Sequence, residues 1–175
     1  HLAQQAPPAE GPLLALNLAV LQGDSAQLQR LLARGAPAQA PNASGLQPLR
    51  LAVGFGEHAM ARVLLQAGAD PALPNDNRYR STPLMESTRD GRVGLARLLL
   101  ARGAPVNQLD VNQDHALNWA VFFGQGALVD LLLQHQASLN QRGRDSQENA
   151  LDIARRRPFP EVLARLEAAV AKAGR

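Results

Sequence analysis

Four stretches of the chain can be superimposed on one another with no insertion between two fixed anchors. The first anchor is a glycine that is predicted to end a helix, and it recurs as Gly23, Gly56, Gly91 and Gly124. The second anchor is a pair of small residues twelve positions later, which recurs as Gly35-Ala36, Gly68-Ala69, Gly103-Ala104 and, with its first residue changed, Gln136-Ala137. The anchors repeat at intervals of 33, 35 and 33 residues, and a period of this length predicts an array of stacked repeats.

Each repeat has the pattern of two short helices separated by the anchor glycine. In the second repeat, Pro48 stands where a first helical turn tolerates its missing N–H group, and Gly56 can end that helix in the left-handed conformation. Val63, Leu64 and Leu65 then mark the apolar side of the next helix. Because a helix pair with one apolar side cannot bury that side alone, the repeats must stack.

Four segments carry a family resemblance. They are Thr82-Pro83-Leu84, Gln47-Pro48-Leu49-Arg50-Leu51-Ala52, Gly68-Ala69-Asp70-Pro71 and Gly103-Ala104-Pro105-Val106-Asn107. In phase with one another, they resemble the ankyrin repeat, a unit of a β-turn and two antiparallel helices with the signature T-P-L-H-x-A. The resemblance covers residues 12 to about 172. It implies an all-α fold, an ankyrin-repeat solenoid of stacked helix-turn-helix units with β-turn or hairpin fingers.

The repeat boundaries divide the chain into a tail and one domain. Residues 1–11 are polar and proline-containing and predict a flexible tail, and residues 12–173 form the predicted ankyrin-repeat domain. Its predicted units are about 12–44, 45–79, 80–112, 113–146 and 147–173. The fifth unit has Pro158 where the anchor glycine should stand, and it is predicted to cap the array. The connections at 73–80 and 141–148 are longer than the standard spacing, and such insertions often lie on a binding face.

Composition and charge narrow the possible classes of protein. The 175 residues include no cysteine, which excludes disulfides and thiolate metal sites. The 18 basic residues, of which only Lys172 is lysine, are interspersed with 15 acidic ones, so a dedicated nucleic-acid stripe is not expected. The arginine-rich composition is typical of a GC-rich genome, and a bacterial source is predicted. The tail that starts at His1 is consistent with a cleaved signal peptide or an arbitrary start, so a periplasmic or otherwise exported location is predicted, with a cytoplasmic one as the alternative.

No group of residues in the sequence predicts catalysis, a cofactor site or a metal site. The four histidines fall at unrelated phases of the repeat, and His115 stands at the helix-capping position that Thr82 takes one unit earlier. Glu86 and Asp90, four residues apart, are predicted to form a solvated face with Arg89 rather than an acid-base pair. The protein is therefore predicted not to be an enzyme.

The resemblance implies where a partner would bind. In ankyrin-like arrays the first helices and the turn tips line a concave surface, whose variable positions directly precede each anchor glycine. The predicted partner-binding residues are Arg50, Phe55, Arg78, Tyr79, Arg80, Arg89, Asp90, Val111, Asn112, Asn118, Phe122, Phe123 and Arg144. The turn tip at Ala43 and Ser44 is a further candidate.

Aromatic residues are concentrated at these positions. Phe122 is predicted to be exposed, whereas Phe55 and Phe123 can equally pack against a neighbouring unit. The only tyrosine, Tyr79, lies between two arginines on the longest turn, a composition enriched in recognition surfaces but also found in solvated loops. Trp119 aligns with apolar positions of other units and is predicted to be core.

These observations favour a non-enzymatic module that binds a protein partner and is monomeric when alone. A cationic groove with aromatic anchors is the expected surface, and one concrete role is that of an immunity or inhibitor protein that covers the active site of a secreted toxin. An accessory or assembly factor for an envelope or oxidative-stress enzyme is an alternative. An arginine-mediated binder of nucleic acid or anionic surfaces is another.

Overall fold

The computed structural model describes residues 10–39 and 47–174, and within them the chain forms ten helices and no strand. The helices are α1 Glu10–Leu21, α2 Ser25–Ala33, α3 Pro48–Phe55, α4 His58–Gln66, α5 Pro83–Arg89, α6 Val93–Ala101, α7 Ala116–Phe122, α8 Gly126–Gln134, α9 Ala150–Arg156 and α10 Pro160–Ala173. The first helix begins two residues before the predicted boundary at 12. The turn tip predicted at Ala43 and Ser44 lies outside the described residues.

The ten helices form five antiparallel pairs that stack in two rows. The first helices α1, α3, α5, α7 and α9 pack on one another in order, as do the second helices α2, α4, α6, α8 and α10. A continuous core of leucine, alanine and valine runs between the rows. Its fully buried leucines come from both rows and include Leu16, Leu28, Leu64, Leu84, Leu99, Leu117, Leu132 and Leu166. The predicted all-α repeat solenoid is confirmed.

Two of the anchor glycines, Gly56 and Gly124, let their repeat close against the next one. Gly56 and Gly124 have positive φ angles of 79° and 71°, which side chains tolerate poorly. The next repeat also fills the space above them: the Arg92 guanidinium lies over Gly56 and donates to the Val53 carbonyl, and the Phe159 ring lies over Gly124. The glycine is therefore required both by its backbone conformation and by the neighbour that covers it.

Connections on the side of the first helices form short fingers. The long finger (residues 70–81) is closed by the Asn75 N–H group, which donates to the Ser81 carbonyl at 2.8 Å. The second finger (residues 107–114) is closed in the same way between Asp110 and Asp114 at 2.9 Å. Neighbouring fingers also pair, since the Val111 N–H group donates to the Tyr79 carbonyl at 2.9 Å. None of the ten described helices combines the length and the apolar composition that a membrane span requires.

His115 caps α7, as predicted. Its Nδ1 atom accepts from the Asn118 N–H group at 3.4 Å, and its Nε2 atom hydrogen-bonds the Ser138 carbonyl at 2.8 Å, so the ring ties the start of α7 to the connection that follows α8. Burial lowers the pKa of His115 below its ordinary value, although the Ser138 carbonyl and the carboxylates of Asp114 and Asp110 oppose that change. A protonated ring would present an Nδ1–H group to the Asn118 donor and lose the cap.

We expect the free energy of unfolding to decrease as the pH is lowered below about 6.5. In this range the unfolded chain gains a proton on His115 that the folded chain does not take up. His115→Thr, which copies the cap at Thr82, should remove this slope between about pH 7 and the lowered folded pKa. Urea unfolding at several pH values measures it, with His135→Gln as a control at an exposed histidine. An unchanged slope in His115→Thr would contradict the assignment.

Asp114 has the opposite effect on stability at lower pH. Because burial raises its pKa above 3.8, the folded chain takes up this proton first, and the free energy of unfolding increases as the pH is lowered towards 3.8.

Candidate functional site

A cleft of about 450 Å³ opens between the fingers and the first helices of the central and C-terminal repeats. The fingers contribute its polar side and α5, α7 and α9 its other side. It is lined by Asn77, Arg78, Tyr79, Glu86, Arg89, Asp110, Asn112, Asp114, Asn118, Trp119, Phe122, Phe123 and Ile153. A volume of this size is within the range of about 300 to 1,000 Å³ that is usual for ligand sites.

The long finger is fixed to α5 by one carboxylate. The Glu86 Oε1 atom accepts from the Ser81 hydroxyl at 2.5 Å and from the side-chain amides of Asn75 at 3.3 Å and Asn77 at 3.4 Å. The other carboxylate oxygen pairs with Arg89 at 3.1 Å. The sequence predicted that Glu86 lies on a solvated face, and this prediction is wrong. It holds the finger that carries Tyr79 over the cleft.

Four aromatic side chains form a continuous wall. Tyr79 meets Trp119 edge to face with ring centroids 6.0 Å apart, Trp119 meets Phe123 at 6.1 Å, and Phe123 meets Phe122 at 5.2 Å. Trp119 was predicted to be core, but it is only partly buried and its Nε1–H group donates to the Asp110 carboxylate at 3.0 Å. A buried indole needs a partner for this N–H group, and the second finger supplies it.

Two arginines stack on the outer rings of the wall. The Arg157 guanidinium lies 3.8 Å from the Phe122 ring centroid and also donates to the Phe122 carbonyl, at 3.0 Å from Nε and 2.7 Å from Nη2. The Arg78 guanidinium lies 4.4 Å from the Tyr79 centroid. Phe122 keeps 46% of its surface exposed, as predicted, while its position is set by Arg157 and Phe123. The exposed ring is therefore held in place before any partner arrives.

The base of the cleft is acidic. The Asp110 carboxylate accepts from the backbone N–H groups of Asn112 at 2.8 Å and Asp114 at 3.0 Å. Asp114 accepts from the side-chain amide of Asn118 at 2.7 Å. Burial raises the pKa of Asp114, and the nearby Asp110 charge adds to this effect, whereas the Asn118 hydrogen bond lowers the pKa. Two arginines and three carboxylates line the cleft, so the prediction of a cationic groove is wrong.

The structure brings together seven of the thirteen predicted partner-binding residues. Those that line the cleft are Arg78, Tyr79, Arg89, Asn112, Asn118, Phe122 and Phe123. Asn118 is 2% exposed and belongs to the base of the cleft rather than to its open surface. Phe123 is partly buried and lines the cleft, with its ring against Trp119 and Phe122 of its own repeat.

The other six predicted residues lie outside the cleft. Phe55 is 60% exposed at the end of α3, where Arg50 is also partly exposed, so the packed alternative for Phe55 is wrong. Asp90 ends α5 and pairs with Arg89 and Arg92, and the Arg89 hydrogen bond lowers the pKa of that carboxyl. Arg80, Val111 and Arg144 belong to the fingers and connections without lining the cleft.

Sequence reasoning missed six cleft residues, and the repeat alignment contained a signal for three of them. Glu86, Trp119 and Ile153 occupy the same position in successive repeats, two residues after the leucine of the signature. Because Glu86 is charged and Trp119 is large, this position of the repeat could have been recognised from the alignment as facing the cleft. The others, Asn77, Asp110 and Asp114, come from fingers whose folding the sequence pattern does not specify.

The comparison with protein families agrees with the two-row stack of helix pairs. A family model described as ankyrin repeats (3 copies) matches residues 16–110 and, in a second alignment, residues 71–143. The chain belongs to the ankyrin-repeat family. Ankyrin repeats form protein-protein interaction modules and are generally non-enzymatic scaffolds.

The carboxylates at the cleft of this ankyrin-repeat protein are hydrogen-bonded to other groups of the protein. Within residues 10–39 and 47–174, no group of three or more His, Asp or Glu side chains is arranged so that it could hold a metal ion. The carboxylates of Glu86 and Asp110 are already engaged by hydrogen-bond donors of the protein. The side chains that remain available at the opening are aromatic and charged.

Proposed function

We propose that this ankyrin-repeat protein binds its protein partner through the cleft and the exposed aromatic side chains beside it. The observation that carries the proposal is the state of Phe122, a large apolar ring that is 46% exposed although Arg157 and Phe123 fix its position. Exposed aromatic residues with fixed positions are typical of side chains that dominate the energy of protein interfaces. Phe55, on the same row of first helices, extends the apolar surface.

The rigidity of the surface supports this function. Each finger is hydrogen-bonded to its neighbour, and the long finger is also tied to α5 through Glu86. A surface that already has its binding shape loses little conformational entropy on association. Little of the binding free energy is therefore lost to ordering the cleft when the partner binds.

For the specific role, we propose that the protein inhibits a partner enzyme by covering its active site, as an immunity protein does with a secreted toxin, and that it acts in the periplasm or outside the cell. The rigid concave row of first helices suits the covering of a convex partner. Support of an enzyme, as an accessory or assembly factor, would use the same surface. Binding of nucleic acid is less favoured at the cleft, because Glu86, Asp110 and Asp114 would repel phosphate groups.

Phe122→Ala should weaken partner binding by at least about tenfold, because loss of one buried aromatic contact costs about 1.4 kcal/mol or more. The partner is captured from the native host by the intact protein, identified, and titrated against both forms. Val170→Ala is the matched control, since Val170 is an exposed apolar residue on α10 that does not line the cleft. Its affinity should equal that of the unchanged protein.

Equal retention of the partner by Phe122→Ala and by Tyr79→Ala would contradict the proposed surface. The role is then tested by adding the protein to the purified partner and measuring the partner's activity. Inhibition proportional to occupancy supports the immunity role. Protected or increased activity would instead support the accessory role.

A further inference from the structure

The acidic base and aromatic wall of the cleft indicate which part of a partner enters it. We propose that the cleft is a socket for one arginine side chain, presented on an exposed loop of the protein partner, with Asp114 as the charge that receives it and Trp119 as the ring beside it. This inference rests on the proposed function and specifies the partner's chemistry at the same site.

Two carboxylates at the base have no cationic partner. The described residues contain seven ion pairs, and neither Asp110 nor Asp114 takes part in any of them. The Asp110 carboxylate is stabilised by three N–H donors, whereas the Asp114 carboxylate accepts only one hydrogen bond, from Asn118. A half-buried carboxylate with so few donors gains most from a cation that brings its own N–H groups.

Asn118 gives a second indication that a hydrogen-bond donor binds here. Its side chain is buried at the cleft, and its Oδ1 atom has no hydrogen-bond partner. Buried polar atoms are nearly always satisfied, and one left over at a binding cleft points to a donor supplied by a ligand. A guanidinium group has five N–H donors, enough to reach a carboxylate and a neighbouring amide oxygen together after a small movement of Asn118.

The aromatic wall already holds guanidinium groups within the protein itself. Arg157 stacks on Phe122 and Arg78 on Tyr79, so the two outer rings each carry one arginine. Trp119, which lies between these rings in the wall, has no cation over it among the described contacts. Tryptophan is the aromatic side chain that binds cations best. A partner arginine that stacks on Trp119 would thus make the same guanidinium–ring contact that Arg78 and Arg157 make at the two ends of the wall.

An arginine fits these groups better than other cations do. Its guanidinium is planar, so it can lie against an indole while its edge donates to a carboxylate, which the compact ammonium of lysine cannot do. A metal ion is not favoured, because the part of the chain that the structure describes has no group of three or more carboxylates or histidines that could hold one. The cleft of about 450 Å³ has room for the side chain and the adjacent backbone of a loop.

Trp119 provides a direct readout, since it is the only tryptophan in the chain. We expect blocked arginine (N-acetyl-arginine N-methylamide) to change Trp119 fluorescence saturably, with a dissociation constant in the millimolar range. The blocked form of citrulline, which has the same shape without the charge, should bind at least about tenfold more weakly. Blocked lysine should also bind more weakly than blocked arginine.

Asp114→Asn should weaken blocked-arginine binding by about tenfold while leaving the circular dichroism spectrum and the Tm close to their original values. The matched control is Asp130→Asn, which makes the same change of net charge at a carboxylate that pairs with Arg165 outside the cleft. It should leave binding unchanged. Phe122→Ala, a second cleft variant without a charge change, should also weaken binding of the probe.

Several results would overturn the socket. Equal responses to arginine and citrulline, or unchanged affinity in Asp114→Asn, would show that no charge is recognised. Micromolar affinity for blocked arginine alone would make the cleft a small-molecule site rather than a docking site. A captured partner that is weakened by Phe122→Ala but not by Asp114→Asn would leave the proposed function intact and reject the arginine socket.

Discussion

Gly124→Ala is expected to lower the free energy of unfolding by about 3 kcal/mol, because two separate penalties act at this residue. The backbone has a φ angle of 71°, a left-handed conformation that costs an alanine about 1 to 2 kcal/mol. An added Cβ atom would also lie 2.7 to 2.8 Å from three carbons of the Phe159 ring. The ring would have to leave its place, and with it the contact between the fourth repeat and the fifth.

Gly103→Ala separates the two penalties. Gly103 has a comparable φ angle of 86°, but a Cβ atom there would meet nothing within 4 Å. Its cost should be the backbone part alone, about 1 to 2 kcal/mol. Urea unfolding of both variants gives the difference, and in a Phe159→Ala background the two glycine changes should cost the same. Equal costs in the unchanged background would show that the ring plays no part.

Glu86→Ala is expected to destabilise the protein by about 3 kcal/mol and to loosen the long finger. The substitution removes the acceptor of the Ser81 hydroxyl and of two asparagine amides, Asn75 and Asn77, leaving three donors at a partly buried place without that partner. Hydrogen bonds to a charged group contribute about 1.5 to 3 kcal/mol each, but their effects at one carboxylate are not additive. Tyr79, carried on this finger, would no longer be held against Trp119.

Glu86→Gln gives the matched comparison because it keeps an oxygen acceptor while removing the charge. It should cost less than half as much as Glu86→Ala, and a change at the exposed Glu167 of α10 should cost about 0.5 kcal/mol or less. Thermal unfolding measures stability, and Trp119 fluorescence reports the loss of the Tyr79 contact. A finger that remains ordered in Glu86→Ala would show that the pairing of neighbouring fingers, such as the bond from Val111 to Tyr79, is sufficient.

The sequence predicted most of the fold and about half of the cleft, and the division follows from how local each determinant is. The anchor glycine at 124 and the cap at His115 are local features, so their roles in ending and starting helices could be inferred from position alone. Phe122 was predicted to be exposed because the resemblance to ankyrin repeats implies that its position in the repeat faces outward. The prediction that the groove is cationic was wrong, because a net charge of +3 for the whole chain does not determine which charged side chains line the cleft.

By itself, the sequence determined the repeat period, the two-helix unit and the stacking of units, because these depend on spacings that recur within one repeat and on apolar faces that must be covered. Only the tertiary structure decided that Glu86 ties down the long finger, that Trp119 stands in the cleft wall, and that Asp110 and Asp114 form its base. These residues come from different repeats and from fingers of irregular length. Their meeting depends on how neighbouring repeats are packed, which no spacing along the chain encodes.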